Sequence, residues 1–504
     1  MELNQAFSKK RFIGIFVLLT IKLIVFFWFA SFIESNVEGS LIPIPSFDEG
    51  YLTVVENLIE HGNWYYEGLN MEAPRVPGQS LSYGFFRLFF SKPIAINSLI
   101  FFQILVYAIS ISWLAEILSK IFKSRSIFWI SIGIFSIDFY HSNWSHYVTL
   151  GESLGISCIV LGLCFFYKFS KNKKYNSLLF AGLFAAICFF FKVSNILVIL
   201  ILGLSLLIQL LSKPFCFKTI SKGILIFCLP FLILESTWII RNFQVTNEII
   251  PLQQIKGFPI TVKKDSNNPM HECISFVKSF GGNWVKWNPK SEIAWFNNEI
   301  YNKKNNFKDR KYVKDVFPSW IFSNNLDSNL IKKAKYKLHQ SQLLEKGNPL
   351  KKYLEIQAAK IFTKFKWNII DNHPLQFYVG SRLSSFKNFF IHSGTYYFPY
   401  ALNSSNTFEK IIKISQSLFY YFIILFGFGG ILLSLRKIHL IPLFIKLLIT
   451  IIIGYLVLYS VVFRTNELRY NSTIYFMLII ISLFMVSKIT KVFNKKYPKS
   501  QFKS

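Results

Sequence analysis

The feature that most constrains this chain is a series of about ten apolar segments, each near the ~20 residues that a bilayer core requires. They run approximately over 12–33, 95–118, 126–141, 148–167, 177–191, 194–211, 222–240, 416–434, 440–462 and 470–488. Those at 126–141 and 177–191 are the shortest. With 52% hydrophobic residues, 18% aromatic residues and a mean hydropathy of +0.38, the chain is too apolar for a soluble protein of 504 residues. It reads as an all-α polytopic membrane protein.

The formal net charge of +30 would suit a nucleic-acid partner, but its distribution argues against one. Much of the Lys and Arg lies in short loops between apolar runs, the pattern that sets membrane topology. One side receives Lys9, Lys10 and Arg11, then Lys120, Lys123 and Arg125, then Lys168, Lys171, Lys173 and Lys174. It also receives Lys213, Lys218 and Lys222, then Arg436 and Lys437, then Lys495, Lys496 and Lys499. Every alternate loop is basic, which predicts a multi-pass protein of the plasma (inner) membrane with both termini cytoplasmic. The apolar run after Lys9, Lys10 and Arg11 lacks a small-x-small cleavage site, so it reads as a retained first helix. There is no Gly-rich phosphate loop, zinc spacing or RNA-binding aromatic motif. Five of the six Cys lie in apolar runs or a basic loop and Cys273 has no polar-segment partner, so no disulfide framework is implied.

The other, extracytoplasmic side then receives four segments: 34–94, 141–152, 241 to about 415, and 463–470. The first is acidic in an acid-poor chain, with Asp48, Glu49, Glu56, Glu60, Glu67 and Glu72. Acids close to a bilayer mark chemistry or ion handling. Within it Leu52, Val55, Leu58 and Ile59 recur at helical spacing with Glu56 and Glu60 opposite, predicting an interfacial amphipathic helix that Gly62 ends. The turn Ala73-Pro74-Arg75-Val76-Pro77-Gly78 leads into a second interfacial helix around Leu81 to Phe90. The segment 241–415 is polar, basic and Trp-rich. Its second half predicts helices around 329–345, 350–371 and 374–391, broken at Gly347-Asn348-Pro349 and His373-Pro374. Its first half, with IIPLQQIKGFPITV, leaves room for strands. The expected organisation is a transmembrane module over 1–240 carrying the first external loop 34–94, an extracytoplasmic domain over 241–415, and C-terminal helices with a basic tail over 416–504.

An acidic pair just after the first span, followed by a helix and a Pro-containing turn, resembles the C-fold glycosyltransferases. The closer likeness is to the branch of the protein O-mannosyltransferases and the lipid A aminoarabinose transferases. Four further pieces match in order. Leu150-Gly151-Glu152-Ser153-Leu154 resembles the family's second acidic motif. Lys192 sits at a span junction where the family often has a basic residue. Trp238-Ile239-Ile240-Arg241-Asn242 resembles the W-x-x-R-N that closes the last span before the external domain. Glu467-Leu468-Arg469-Tyr470 resembles the E-x-R-Y that opens the last span. The turn here reads APRVPG rather than the more common Pro-Pro form, and the external domain has no counterpart.

The resemblance implies an integral membrane glycosyltransferase serving cell envelope glycosylation. It would take a sugar from a polyprenyl-phosphate donor to a lipid, glycan or protein acceptor, among membrane lipids and without nucleic acid, inverting the anomer. A carboxylate within reach of the attacking hydroxyl or amine removes its proton, and Asp48 is placed for that task. The competing account is helix capping: Ser46 and Glu49 have capping-box spacing, and Asp48 suits a first turn. Glu152, at the external end of a span, would orient the acceptor, act as a second acid or share a divalent metal with Asp48; no ligand cluster is visible and no cofactor is firmly implied. Arg241 and Lys192 would hold the donor phosphate, whose charge grows as the glycosidic bond breaks; ordinary snorkelling competes for Arg241. Arg75 and Arg469 are alternatives for the phosphate, and Glu49, Tyr51 and His146 are supporting positions. The rivals are a transporter or flippase of lipid-linked saccharides, against which the lack of inverted repeats weighs, and a non-catalytic assembly subunit.

Overall fold

A computed structural model of the chain describes residues 2–30, 50–65, 75–139, 151–211, 217–251, 269–282, 317–323, 325–345, 347–392, 407–464 and 468–496. In chain order the helices are α1 (Glu2–Ala30), α2 (Thr53–His61), α3 (Gly78–Arg87), α4 (Lys92–Phe122), α5 (Ser126–Ile137), α6 (Glu152–Asn172), α7 (Tyr175–Phe191), α8 (Ile196–Leu211) and α9 (Phe217–Thr246). They continue with α10 (Pro269–Ser279), α11 (Ser328–Gln342), α12 (Pro349–Asn372), α13 (Ser381–Phe390), α14 (Thr407–Arg436), α15 (Leu443–Leu456) and α16 (Leu468–Lys496). Two π-helical segments, Gln376–Gly380 and Val457–Val462, precede α13 and follow α15. Among the described residues there is no strand, only an isolated bridge between Ser323 and Leu326. Most of the stretch considered for strands, from residue 252 on, lies outside the described residues.

Among the described residues eight helices are long and apolar enough to cross a membrane, and the two shorter apolar helices are α5 and α7. The architecture is that of an all-α polytopic membrane protein. The chain forms two units: the first holds Met1–Gln254, Ser393–Ile453 and Ser472–Ser504, the second Ile255–His392 and Gly454–Asn471.

In the first unit, small residues let helix backbones touch, the packing that works where lipid supplies no hydrophobic drive between helices. Gly151, Gly155 and Gly162 share one face of α6, and Gly162 lies over the backbone of α7 at Ala181 and Ala185. On α7, Ala181, Gly182, Ala185 and Ala186 form a buried stripe. A Cβ on Gly182 would run into the carbonyl of Phe227 in α9. Likewise α14 meets α16 through Gly427 against Leu478 and Gly430 against Ile481. Residues 152–164 of α6 and 472–484 of α16 are buried throughout, as suits helices enclosed on all sides. Rings of α4, α5 and α14 close on α16 in the pairs Phe122–Phe484, Phe135–Phe476 and Tyr420–Tyr475.

Two of the buried charges within this unit are answered locally. Glu116 of α4 accepts from Arg11 at 2.8 Å and Lys120 at 2.6 Å, while the Arg11 guanidinium lies 5.2 Å from the ring centre of Trp113. Lys22 of α1 is buried, donates to the Asp138 carbonyl at 3.2 Å and faces the Tyr107 ring.

The amphipathic helix α2 ends at Gly62, whose φ of 72° is the left-handed closure that glycine adopts without strain. Its orientation departs from the sequence pattern. Leu52, Val54, Val55 and Glu56 are buried, whereas Leu58 and Ile59 are exposed. Glu56 turns inward because α3 supplies partners: the Tyr83 hydroxyl donates to it, and Arg87 Nε donates at 3.1 Å. That ion pair strengthens the proton hold of Arg87, and burial with the Glu56 contact raises the Tyr83 hydroxyl. The outward face of α3 is apolar, with Leu81 and Phe85 exposed, as expected of a helix lying in a membrane interface.

The second unit contains α10 to α13 around a core of Phe276, Val277, Ile321, Ile331, Leu338, Phe362, Phe365 and Phe377. Inside it Glu272 and Lys366, both fully buried, pair at 2.8 Å, and the Thr363 hydroxyl donates to Glu272 at 2.9 Å. Both partners are needed, since either charge alone there would be strongly unfavourable. Asp327 and Asn348 cap α11 and α12 by accepting from the backbone N–H of Leu330 and Leu350.

Two predictions follow from this packing. Gly182→Ala lowers stability by about 2 kcal/mol through overpacking, while Gly133→Ala, with nothing within 4 Å of the added methyl, gains up to about 1 kcal/mol of helix propensity. Thermal unfolding of the detergent-solubilised protein reads both. His392, in the second unit, has its pKa pushed by burial from 6.5 down to about 4. The folded form therefore resists protonation, so His392 contributes stability above pH 6.5 that is lost as pH falls toward 4. His392→Gln should flatten the melting-temperature profile across that window.

Candidate active site

The C-terminal end of α7 is the point on which several sequence motifs converge. A helix ends with carbonyls that need partners. Here the Cys188 carbonyl accepts from Asn195 Nδ2 at 2.7 Å, and the Phe189 carbonyl from the Lys192 N–H at 3.0 Å. The next two residues are pressed by backbone. A Cβ on Gly78, which opens α3 after the proline turn, would sit 2.5 Å from the Phe190 carbonyl oxygen. A Cβ on Gly151 would sit 2.5 Å from that of Phe191. Only glycine permits both approaches, so the APRVPG turn and the LGES motif are drawn to the same helix end.

Glu152 and Lys192 meet there. Lys192 Nζ donates to Glu152 Oε1 at 3.0 Å, and the two side chains retain only 17% and 9% exposure for Lys192 and Glu152. Each also suits the helix it belongs to: Glu152 lies in the first turn of α6, Lys192 just past the last turn of α7. Carboxylates at N-termini and ammonium groups at C-termini are both favoured by the helix dipole.

The second half of the site comes from α9. Trp238 packs with Phe189 and Phe190 of α7 and with Trp64 and Val193. The Trp64 and Trp238 rings meet edge to face at 6.3 Å. The Arg241 guanidinium lies 5.9 Å from the first ring centre and 5.2 Å from the second, a cation–π geometry. It also donates to Asn242 Oδ1 at 2.9 Å and to the Trp64 carbonyl at 3.4 Å. Asn242 in turn donates to the Ile250 carbonyl at 2.9 Å, tying down the chain as it leaves α9. Each polar member of the W-x-x-R-N motif thus has a structural task.

Of the predicted site residues, Glu152 and Lys192 are brought into contact, and Arg241 lies beside Trp238, which shares an apolar cluster with Phe189 and Phe190 of α7. Arg75 is partly buried, three residues before Gly78, and Tyr51 is buried at the entry to α2. Arg469 lies in the first turn of α16, in the second unit. Asp48, Glu49 and His146 lie outside the described residues. Among the described residues no three His, Cys, Asp or Glu are grouped to hold a metal ion.

Glu235 was not singled out by the sequence. It lies on the buried stripe of α9 formed by Phe227, Pro230, Glu235, Trp238 and Asn242, is 8% exposed, and neither carboxylate oxygen has a hydrogen-bond partner. The available signal was a lone acid within an apolar span. The indole Nε1 of Trp64 is likewise buried without a partner.

Residues 82–234 match the family model described as dolichyl-phosphate-mannose-protein mannosyltransferase. The match runs from α3 into α9 and includes Glu152 and Lys192. No curated protein and no solved structure matches the chain. The match supports the C-fold, mannosyltransferase-like family, and with the ten apolar helices it supports a membrane glycosyltransferase.

The ion pair is testable by a double-mutant cycle. Lys192→Met and Glu152→Gln should each lower thermal stability, and the double variant should lose less than the sum, with a coupling of about 1–3 kcal/mol.

Proposed function

We propose that the protein transfers one sugar from a polyprenyl-phosphate donor to a lipid, glycan or protein acceptor at the extracytoplasmic face of the inner membrane, with both termini cytoplasmic. The acceptor oxygen or nitrogen attacks the anomeric carbon, the bond to the phosphate oxygen breaks, and polyprenyl phosphate leaves with the electron pair. Asp48 takes the acceptor proton. Inversion follows from a single in-line displacement. Lys192 and Arg241 answer the charge that grows on the leaving phosphate, with Arg75 and Arg469 as further cations. Glu152 fixes the Lys192 ammonium, and Glu49, Tyr51 and His146 support the acceptor side.

The observation that carries this reading is the convergence of Gly78, Gly151, Glu152 and Lys192 on one helix end within or beside the family-matched segment. A partly buried lysine held by a carboxylate at the end of a short span suits a lipid-linked phosphate. A transporter of lipid-linked saccharides is the second reading. Lys22 and Glu235, buried within spans α1 and α9, favour it.

Proteoliposomes with a radiolabelled polyprenyl-phosphate sugar and a membrane glycan extract separate the two. Transfer predicts label moving covalently to the acceptor, with Asp48→Asn lowering kcat by about 10²–10⁴-fold. In the same assay Arg241→Gln should also slow turnover. Flipping of intact donor across the bilayer without covalent transfer would favour the transporter.

A further inference from the structure

A second cationic centre lies in the second unit, close in sequence to the Glu467-Leu468-Arg469-Tyr470 motif. Arg464 follows the π-helical segment Val457–Val462 and is 5% exposed. Its guanidinium carbon stands 4.2 Å from the ring centre of Phe377, and its Nη1 is buried with no hydrogen-bond partner. Arg382, in the first turn of α13, lies 6.0 Å from that same ring. Arg382 Nη1 donates to the carbonyls of Phe377 at 2.9 Å and Tyr378 at 2.5 Å. Neither arginine forms an ion pair among the described residues.

Two like charges on one ring, one of them buried with an unused donor, repel each other and lose hydration. Burial and the neighbouring Arg382 push the Arg464 pKa down from the usual guanidinium range to about 10, so the guanidinium stays charged at neutral pH. Its backbone is held at a φ of 47°, in the left-handed region that a non-glycine residue rarely adopts. Both π-helical segments of the described chain border this pair. Such insertions re-aim side chains and recur at functional sites. The candidate span that contains the second of them ends at Val462, two residues before Arg464, which puts the pair at the depth where lipid phosphates lie. Nearby the Tyr455, Tyr459 and Tyr470 rings stack in series.

We propose that Arg464 and Arg382, set on the Phe377 ring, form a binding site for a phosphate group, carried by a lipid headgroup or free in solution. An anion there would accept from the unused Arg464 Nη1, separate the two guanidiniums electrostatically, and use the planar fork that suits a tetrahedral oxyanion. The site is independent of sugar transfer, since its residues belong to none of the groups assigned to that reaction.

The test uses the full-length protein in a neutral maltoside detergent and follows its thermal midpoint. One arm adds inorganic phosphate at constant ionic strength. The other adds short-chain phosphatidylglycerol, with a neutral short-chain diacylglycerol as control. A rise with inorganic phosphate identifies a free-phosphate site; a rise with phosphatidylglycerol alone identifies a headgroup site. In either case Arg464→Gln and Arg382→Gln should weaken the apparent affinity about tenfold or more, the loss expected for a charge-assisted hydrogen bond. Arg464→Lys should retain part of it. Should Arg464→Gln fail to fold, Arg382→Gln carries the comparison. No rise in either arm, or a rise of unchanged affinity in the folded variants, overturns the proposal.

Discussion

The candidate site in the first unit depends on how the end of α7 is closed. A helix that stops inside an apolar bundle leaves carbonyls that no water can satisfy. Asn195 and the Lys192 N–H take two of them, and the backbones at Gly78 and Gly151 crowd the residues that follow. This closure seats α3 and the start of α6 on α7. It also fixes Glu152 opposite Lys192, because Gly151 immediately precedes the one and Phe191 the other. The ion pair is therefore a consequence of backbone packing. Its geometry is set before either charge contributes, which is what pre-organisation of a charged site requires.

The same logic explains why α7 is short. Its buried stripe of Ala181, Gly182, Ala185 and Ala186 lets α6 and α9 close on its backbone. A 17-residue helix packed against both need not span the bilayer core. Its C-terminal end is closed by protein groups, as irregular backbone within an apolar bundle requires. Trp238 and Arg241 of α9 and Trp64 of the first loop gather at that end. Short span, glycine contacts and aromatic–cation cluster are thus parts of one arrangement.

Much of the fold was legible in the sequence because hydropathy acts over whole segments. The ten apolar helices, the two short ones among them, and the breaks at Gly347-Asn348-Pro349 and His373-Pro374 all rest on composition summed over many residues. What was less legible depends on single contacts. Glu56 reads as a solvent-face residue of α2, and turns inward only because Tyr83 and Arg87 of α3 reach it. Glu152 and Lys192 were readable as separate charges at span ends; that they pair follows from the packing at Gly151, which no local pattern encodes. Helix α10 escaped notice because its core residues, Cys273, Phe276 and Val277, are few and bury themselves against α12. Arg464 was hidden beside the more recognisable Glu467-Leu468-Arg469-Tyr470.

The buried cations show why a net charge of +30 cannot be read as topology alone. Lys22 lies within an apolar helix, where a carbonyl and the Tyr107 ring receive it. Lys366 has a full carboxylate partner in Glu272, with Thr363 completing that carboxylate's hydrogen bonds. Lys192 has Glu152 and the end of a helix. In each case the surroundings supply negative charge or dipole to offset desolvation. Arg464 breaks the series: among the described residues it faces an aromatic ring and a second arginine, with no ion pair. A cation–π contact is worth about 2 kcal/mol when desolvated, less than the several kcal/mol that burying an ion costs. The deficit is what an added anion would remove.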